Sequence, residues 1–171
     1  MCGIVGVIST SAHHRKEIGE WERKSRDIVE RGMRALAHRG PDGSSIYITG
    51  MSSKNENEPR QNKKLPLGAV FGHQRLSIIA TESKFAKQPL VSQNGVGSVV
   101  GLLSFNGEIY NYSELGALLN KEGVYSFDIN SDTSVLGSAL AHWGVARTIN
   151  LIDGMFAFAW WEMSGGNNHG V

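Results

Sequence analysis

Cys2 is the only cysteine in the chain, and it directly follows Met1. A small second residue favours removal of Met1, which would leave one residue carrying both a thiol and a free α-amino group. The thiolate is the nucleophilic form of cysteine. An unperturbed α-amino group titrates at about 7.7–8.0, so it can act as a base near neutral pH. Nucleophile and base would then sit on a single residue. A cysteine at this place can equally be a small apolar residue. Gly3–Ile8 (GIVGVI) follows as a short apolar strand, which would tie the terminus into a core.

Four other segments carry polar groups between apolar runs: His38–Gly43 (HRGPDG), Arg75–Ile78 (RLSI), Asn106–Asn111 (NGEIYN) and Ser131–Thr133 (SDT). The first has the Gly and Pro of a forced turn. Arg75 follows a predicted strand. Its guanidinium can grip a carboxylate through two parallel hydrogen bonds, or serve as a plain surface charge. Asn106-Gly107 is a dipeptide common in turns. Ser131 and Asp132 are both residue types that cap a helix N-terminus. The six histidines, His13, His14, His38, His73, His142 and His169, lack metal-ligand spacing and read as surface or core residues. The acids do not cluster as a divalent-cation site does, so no metal site is expected.

These groups must be positioned by the elements between them. After the first strand and a polar stretch, the spacing of Ile18, Trp21, Ile28, Met33 and Leu36 predicts an amphipathic helix over about Glu17–Ala37. The turn at His38–Gly43 ends it, and Ser45–Thr49 reads as a strand. Gly50–Leu65, rich in Ser, Asn, Lys and Glu, reads as a long surface loop or insertion. Leu67–His73 is a predicted strand continued by Gln74–Ile79. Gly97–Phe105 is another, ending at Asn106-Gly107. A short helix is expected around Ser113–Asn120 and a strand over Tyr125–Asp128. A second long helix opens at Ser131-Asp132-Thr133, with Val135, Leu136, Ala139 and Trp143 on its buried face. Gly154–Trp161 is the last predicted strand, and residues 164–171 read as a flexible tail. Strands and helices do not alternate regularly, which favours mixed sheets covered by helices over a doubly wound parallel sheet.

A length of 171 residues suffices for one domain with its own core. The formal net charge is +1 with no large basic block, so neither nucleic acid nor a membrane surface is indicated as a partner. No apolar run is long enough to span a bilayer, and the N-terminus does not read as a signal peptide. A lone cysteine forms no internal disulfide, which fits a reducing compartment; a cytoplasmic location is the default expectation.

With the opening Met-Cys-Gly-Ile-Val-Gly, the ordered motifs resemble the class II glutamine amidotransferases, which use an N-terminal cysteine nucleophile. HRGPDG, RLSI, Gln88-Pro89-Leu90, NGEIYN and the run Gly154–Ala159 (GMFAFA) together are most similar to the glutaminase domain of glutamine-dependent asparagine synthetases. The resemblance covers residues 1–163. It implies an α+β fold, the four-layer α/β/β/α N-terminal-nucleophile hydrolase sandwich, with two sheets face to face and helices outside. It also implies hydrolysis of L-glutamine to glutamate and ammonia through a Cys2 glutamyl thioester, the ammonia serving ATP-dependent asparagine synthesis from aspartate.

Cys2, Asn106 and Gly107 take the catalytic roles by this resemblance. The Asn106 side-chain amide and the Gly107 backbone N–H would form an oxyanion hole. Arg75, Leu76, Ile78, Asn106, Glu108 and Asp132 would bind the substrate, with Arg75 on the α-carboxylate and Asp132 on the α-ammonium. Glu108 would help hold the amine. Arg39, Gly40 and Asp42 would shape the pocket wall near Cys2. Glutamine hydrolysis needs no metal or organic cofactor. ATP and magnesium are expected only for a synthetase domain or subunit, which the resemblance places beyond this chain.

Family members continue past Trp161-Glu162 with a turn and more sheet, so the fold is expected to lack its last strands. Ser134 stands where a Glu is common, and the Gly50–Leu65 segment is long. An amidotransferase with another acceptor, such as a sugar, and a catalytically silent glutamine-binding module both stay open at this point.

Overall fold

The computed structural model describes residues 2–9, 15–49, 68–76, 87–93 and 99–163. Strand β1 (Gly3–Ile8) precedes helix α1 (Arg15–Ala35), a single 3₁₀ turn at Ala37–Arg39 and strand β2 (Gly43–Ile48). Strands β3 (Ala69–Arg75), β4 (Leu90–Gln93) and β5 (Val99–Ile109) come next. Helices α2 (Tyr112–Lys121) and α3 (Asp132–Leu151) and strand β6 (Gly154–Glu162) complete the described chain. The strands form two antiparallel three-stranded sheets, ordered β1-β3-β2 and β4-β5-β6.

Helix α1 lies on the first sheet along a line of every fourth residue: Trp21, Ser25, Val29 and Met33. That line sets the helix phase against Val70, with Val5, Val7, Ile46 and Ile48 around it. Ile28, expected on the buried face, is turned off this line and is 46% exposed. Helices α2 and α3 cover the outer face of the second sheet. Leu115, Leu119, Val135, Leu136, Ala139 and Leu140 pack there against Leu103, Phe105 and Ile109 of β5. Burying a side chain such as Leu119 contributes about 1.5–3 kcal/mol relative to leaving it in water. Ala69 and Phe71 of β3 meet Leu102 of β5 between the sheets. The order of layers is therefore α1, sheet, sheet, α2 with α3, as expected.

Several elements differ from expectation. Tyr125–Asp128 is not a strand. Its neighbour Val124 donates its N–H to the Leu119 carbonyl, and the Asp128 N–H goes to Ser134 Oγ, so the segment is bound to helix ends. Tyr125 itself is 73% exposed. Strand β5 does not end at Asn106-Gly107 but runs through it, because β6 pairs along its whole length from Gly101 opposite Glu162 to Ile109 opposite Gly154. Strand β4 was not expected at all. Helix α3 breaks at Gly144, whose φ of 75° and ψ of 172° are not helical. The Gly50–Leu65 loop, the Ser77–Ile79 end of the third predicted strand and the tail at 164–171 lie outside the described residues. Among the described residues no helix is long and apolar enough to cross a membrane.

Candidate active site

Register brings the first pair of polar residues together. Gly3 opposes Gln74 in the β1–β3 ladder, so Cys2 falls opposite Arg75. Alternation along β3 turns Val70 and Gly72 toward α1, and Ala69, Phe71, His73 and Arg75 toward the second sheet. On β5, Leu102, Ser104, Asn106 and Glu108 share the face that looks back. Each strand thus runs from apolar residues at one end to polar residues at the other, and the two polar ends meet. A cavity of about 380 Å³ opens there. Cys2, Arg75, Leu76, Asn106, Gly107, Glu108 and Asp132 line it, together with Gln88, Phe105, Ser131, Thr133, Met155, Phe156 and Ala157.

Half-buried Cys2 is held from two sides. The Leu76 N–H points at its Sγ, 3.4 Å away, and Arg39 Nε donates to its carbonyl oxygen at 3.3 Å. The Asp42 N–H donates to the Arg75 carbonyl at 3.0 Å. Gly40 is buried so close beneath β3 that a Cβ would lie 2.7 Å from the Arg75 nitrogen. Arg39, Gly40 and Asp42 are thus not among the residues lining the cavity; they brace Cys2 and Arg75 from behind it. Ile78 lies outside the described residues.

The second sheet contributes an unpaired strand edge. Strand β4 begins at Leu90, opposite Leu103, so among the described residues β5 has no neighbour strand on that side beyond this point. The Tyr110 N–H bonds to the Asp153 carbonyl at 2.7 Å on the β6 side. Antiparallel alternation then turns the N–H groups of Phe105, Gly107 and Ile109 to the open edge. Gln88 Oε1 accepts the Phe105 N–H at 2.5 Å, and Asp132 Oδ2 accepts the Ile109 N–H at 3.3 Å. Gly107, between them, faces the cavity. Its φ is +152°, and a Cβ would collide with the Met155 carbonyl oxygen, so no other residue fits without shifting β6. The neighbouring Asn106 has its Oδ1 buried without a hydrogen-bond partner among the described residues.

Asp132 opens α3 but does not cap it. Ser131 is the cap, accepting the Ser134 N–H on its Oγ at 3.3 Å. Asp132 Oδ1 accepts the Thr133 N–H at 2.6 Å. Burial pushes its carboxyl above the ordinary 3.8, the nearby Glu108 adds to this, and the hydrogen bonds from Ile109 and Thr133 oppose it. Among the described residues no cationic side chain pairs with it. One cavity therefore holds a guanidinium and a buried carboxylate. That is the complement of a zwitterionic α-amino acid, with a thiol and an edge N–H beside it.

The sequence shows Gln88 only within a motif, offers Ser131 only as a helix cap, and gives Thr133 and the β6 residues no place at the cavity. Gln88 supplies from its side chain the partner that β4, which begins at Leu90, does not give Phe105. Met155 and Phe156 are 69% and 39% exposed, and an apolar strand gives no sign that its end borders a cavity.

Comparison with known proteins agrees with this geometry. The family model described as "Glutamine amidotransferase domain" matches residues 1–168. A putative glutamine-hydrolysing asparagine synthetase of Mycobacterium bovis is 30% identical over 164 residues, which is 95% of this chain and 22% of the relative. Asparagine synthetase 1 of Bacillus subtilis is 32% identical over 162 residues, 95% of this chain and 21% of its own length. The chain thus spans about a fifth of the curated relatives it matches. Among solved structures, an allosteric regulatory enzyme of purine biosynthesis superposes with a TM-score of 0.60 at 22% identity, over 92% of this chain and 35% of that one. A glutamine phosphoribosylpyrophosphate amidotransferase from B. subtilis gives 0.59 at 21% identity, over the same shares. These likenesses show the fold, an α+β sandwich of two sheets with helices outside. Fold, cavity and family match lead to one conclusion: the chain belongs to the glutamine amidotransferase domain family.

Proposed function

We propose that residues 1–163 form a glutaminase domain that hydrolyses L-glutamine and passes ammonia to a synthetase domain or subunit making asparagine. The reading is carried by one observation: Cys2, Arg75, the Asn106-Gly107 edge and Asp132 line a single cavity. Arg75 holds the substrate α-carboxylate, Asp132 and Glu108 its α-ammonium group, and the side-chain amide lies toward Cys2 Sγ. With Met1 removed, the Cys2 α-amine takes the thiol proton, directly or through a water. The thiolate adds to the amide carbon, and the oxyanion is held by the Asn106 side-chain amide and the Gly107 N–H. Preorganised donors of this kind contribute about 2.7–4 kcal/mol each to lowering a barrier. The Cys2 α-ammonium group so formed returns its proton to the leaving nitrogen, the C–N bond breaks and ammonia departs. Water then cleaves the glutamyl thioester to glutamate and regenerates the thiol. No metal or organic cofactor enters these steps. ATP and magnesium belong to the acceptor half, where aspartate is activated, and the asparagine synthetase relatives support that choice of acceptor.

A glutamine-mimicking diazo-ketone tests the site. Loss of Met1 and a single adduct on Cys2 in the intact mass are expected, with none on Cys2→Ala. A Cys2→Ala variant that still releases ammonia from glutamine refutes the mechanism. Product analysis with aspartate and ATP, in the presence of a synthetase domain, tests the acceptor.

A further inference from the structure

We infer that His73 is a positioning residue for glutamine hydrolysis: donated across the two sheets to the Phe105 carbonyl, its Nε2–H holds the Asn106-Gly107 donors at working distance from Cys2. The inference rests on the functional reading above. His73 is 1% exposed and stands two residues before Arg75 on β3, opposite Ile4 of β1. Its Nε2 lies 3.0 Å from the Phe105 carbonyl oxygen. The bond crosses from the sheet that carries Cys2 and Arg75 to the sheet that carries Asn106 and Gly107.

The bond fills a gap in the ladder. The Phe105 N–H and C=O both face the edge that β4 leaves open, and among the described residues neither has a backbone partner there. Gln88, whose carbonyl accepts the Ser45 hydroxyl, supplies its Oε1 to the N–H; His73 supplies a donor to the C=O. That carbonyl belongs to the peptide unit whose nitrogen is Asn106, so its position sets where the proposed oxyanion donors begin. The other ring nitrogen, Nδ1, is buried without a partner among the described residues. Burial pushes the ring's pKa down, the Phe105 bond opposes this and the Arg75 charge adds to it; a carbonyl oxygen only accepts, so Nε2–H is the donor. A leucine would remove the unpartnered Nδ1 but leave the Phe105 carbonyl without its donor. The imidazole adds one thing that leucine lacks, the bond to Phe105.

The test compares the full chain with His73→Leu and His73→Gln. It reads kcat and KM for glutamine, the alkylation rate of Cys2 by iodoacetamide, and the melting temperature. Iodoacetamide needs the thiol but not the oxyanion donors. His73→Leu is expected to lose about 10–100-fold in kcat, the scale of a donor misplaced by a fraction of an ångström to about 1 Å, while KM and alkylation stay within about threefold. His73→Gln, which carries an N–H near the Nε2 position, is expected to return to within about fivefold of wild type. A folded His73→Leu with kcat within about twofold of wild type overturns the inference. So does a parallel loss of kcat and alkylation, which marks general collapse of the site. If His73→Leu does not fold, His73→Gln decides by the same fivefold limit. A wild-type chain that releases no ammonia overturns the functional reading, and this inference with it, before any variant is compared.

Discussion

Gly107→Ala separates the two demands that the structure places on one residue. At φ +152°, an alanine carries about 1–3 kcal/mol of backbone strain. Its Cβ would also lie 2.6 Å from Phe156 Cα and overlap the Met155 carbonyl oxygen. Strand β6 must then retreat, stretching the hydrogen bonds of the flanking pairs, Asn106 with Ala157 and Glu108 with Met155. Each such bond contributes about 1 kcal/mol net. Together these effects predict a loss of about 3–5 kcal/mol, or roughly 10 °C in Tm for a domain of this size. Gly123→Ala is the control: φ is +83° there, but nothing lies within 4 Å of the added Cβ. It should cost only about 1 kcal/mol. Urea and thermal unfolding measure both variants, and ammonia release at low temperature measures activity per folded molecule. On the proposed chemistry, Gly107→Ala also lowers kcat by about 100-fold, because the edge N–H moves with the strand. A Gly107→Ala protein that melts with Gly123→Ala and keeps wild-type kcat would refute the account of this strand.

Arg75→Lys keeps the charge but loses the two-pronged grip, so KM for glutamine should rise about 10–100-fold with a smaller change in kcat; an unchanged KM argues against carboxylate binding there. Asp132 must be ionised to hold an ammonium group, and burial raises its pKa above 3.8, so kcat/KM should fall on an acid limb displaced upward from the ordinary Asp range. Because its folded-state value exceeds the unfolded one, the same group favours the fold when protonated, and that share of stability is lost as pH rises above about 3.8 through its folded value. An acid limb that persists in Asp132→Asn would assign it to another group. Glu122, between α2 and α3, accepts bonds from Trp143, Arg147 and His142, which hold its carboxyl down from 4.5 to about 2. Its contribution is present above 4.5 and lost as pH falls toward about 2, so the urea-midpoint gap between wild type and Glu122→Gln should close over that window. A gap that does not change with pH would refute the assignment.

Periodicity made β1 and α1 legible, since each buries one face against a single neighbour. It misplaced Ile28 because a phase difference of one residue, about 100° around the helix, moves a side chain off the contact line, and that phase is set by β3, a partner remote in sequence. Asn106-Gly107 reads as a turn on local chemistry alone, yet β6 continues the ladder across it; pairing with a strand some fifty residues on overrides the dipeptide preference. Tyr125–Asp128 has strand-like residues but is tied to the ends of α2 and α3 instead of to a strand. The site was legible as a set of residue types through its ordered motifs. Its geometry was not, because what aims the Gly107 N–H is the early end of β4, and no residue of the NGEIYN segment records that. His73 was read only as a core or surface histidine. Its bond to Phe105 depends on how two sheets are stacked, which neither strand's sequence carries.

The open edge of β5 explains why a cavity forms at this end of the sandwich. Toward Val99 the strand is paired on both sides, and the layer between the sheets is closed by Phe71, Ala69 and Leu102. Toward Ile109 one side is unpaired among the described residues, and every backbone group on it must find another partner or stay open to solvent. Gln88, His73 and Asp132 take three of these groups with side chains. Each of those side chains then brings a polar atom into the layer, which cannot close over as an apolar one would. Gly107 is exposed, so water can meet its N–H in the resting protein, and the penalty of about 1–3 kcal/mol for a buried unpaired group is avoided. A bound oxyanion would replace that water with a charge-assisted bond to a donor already fixed in place by β6. The same shortening of β4 that weakens the sheet at this end thus supplies the site with its fixed donor and its polar lining.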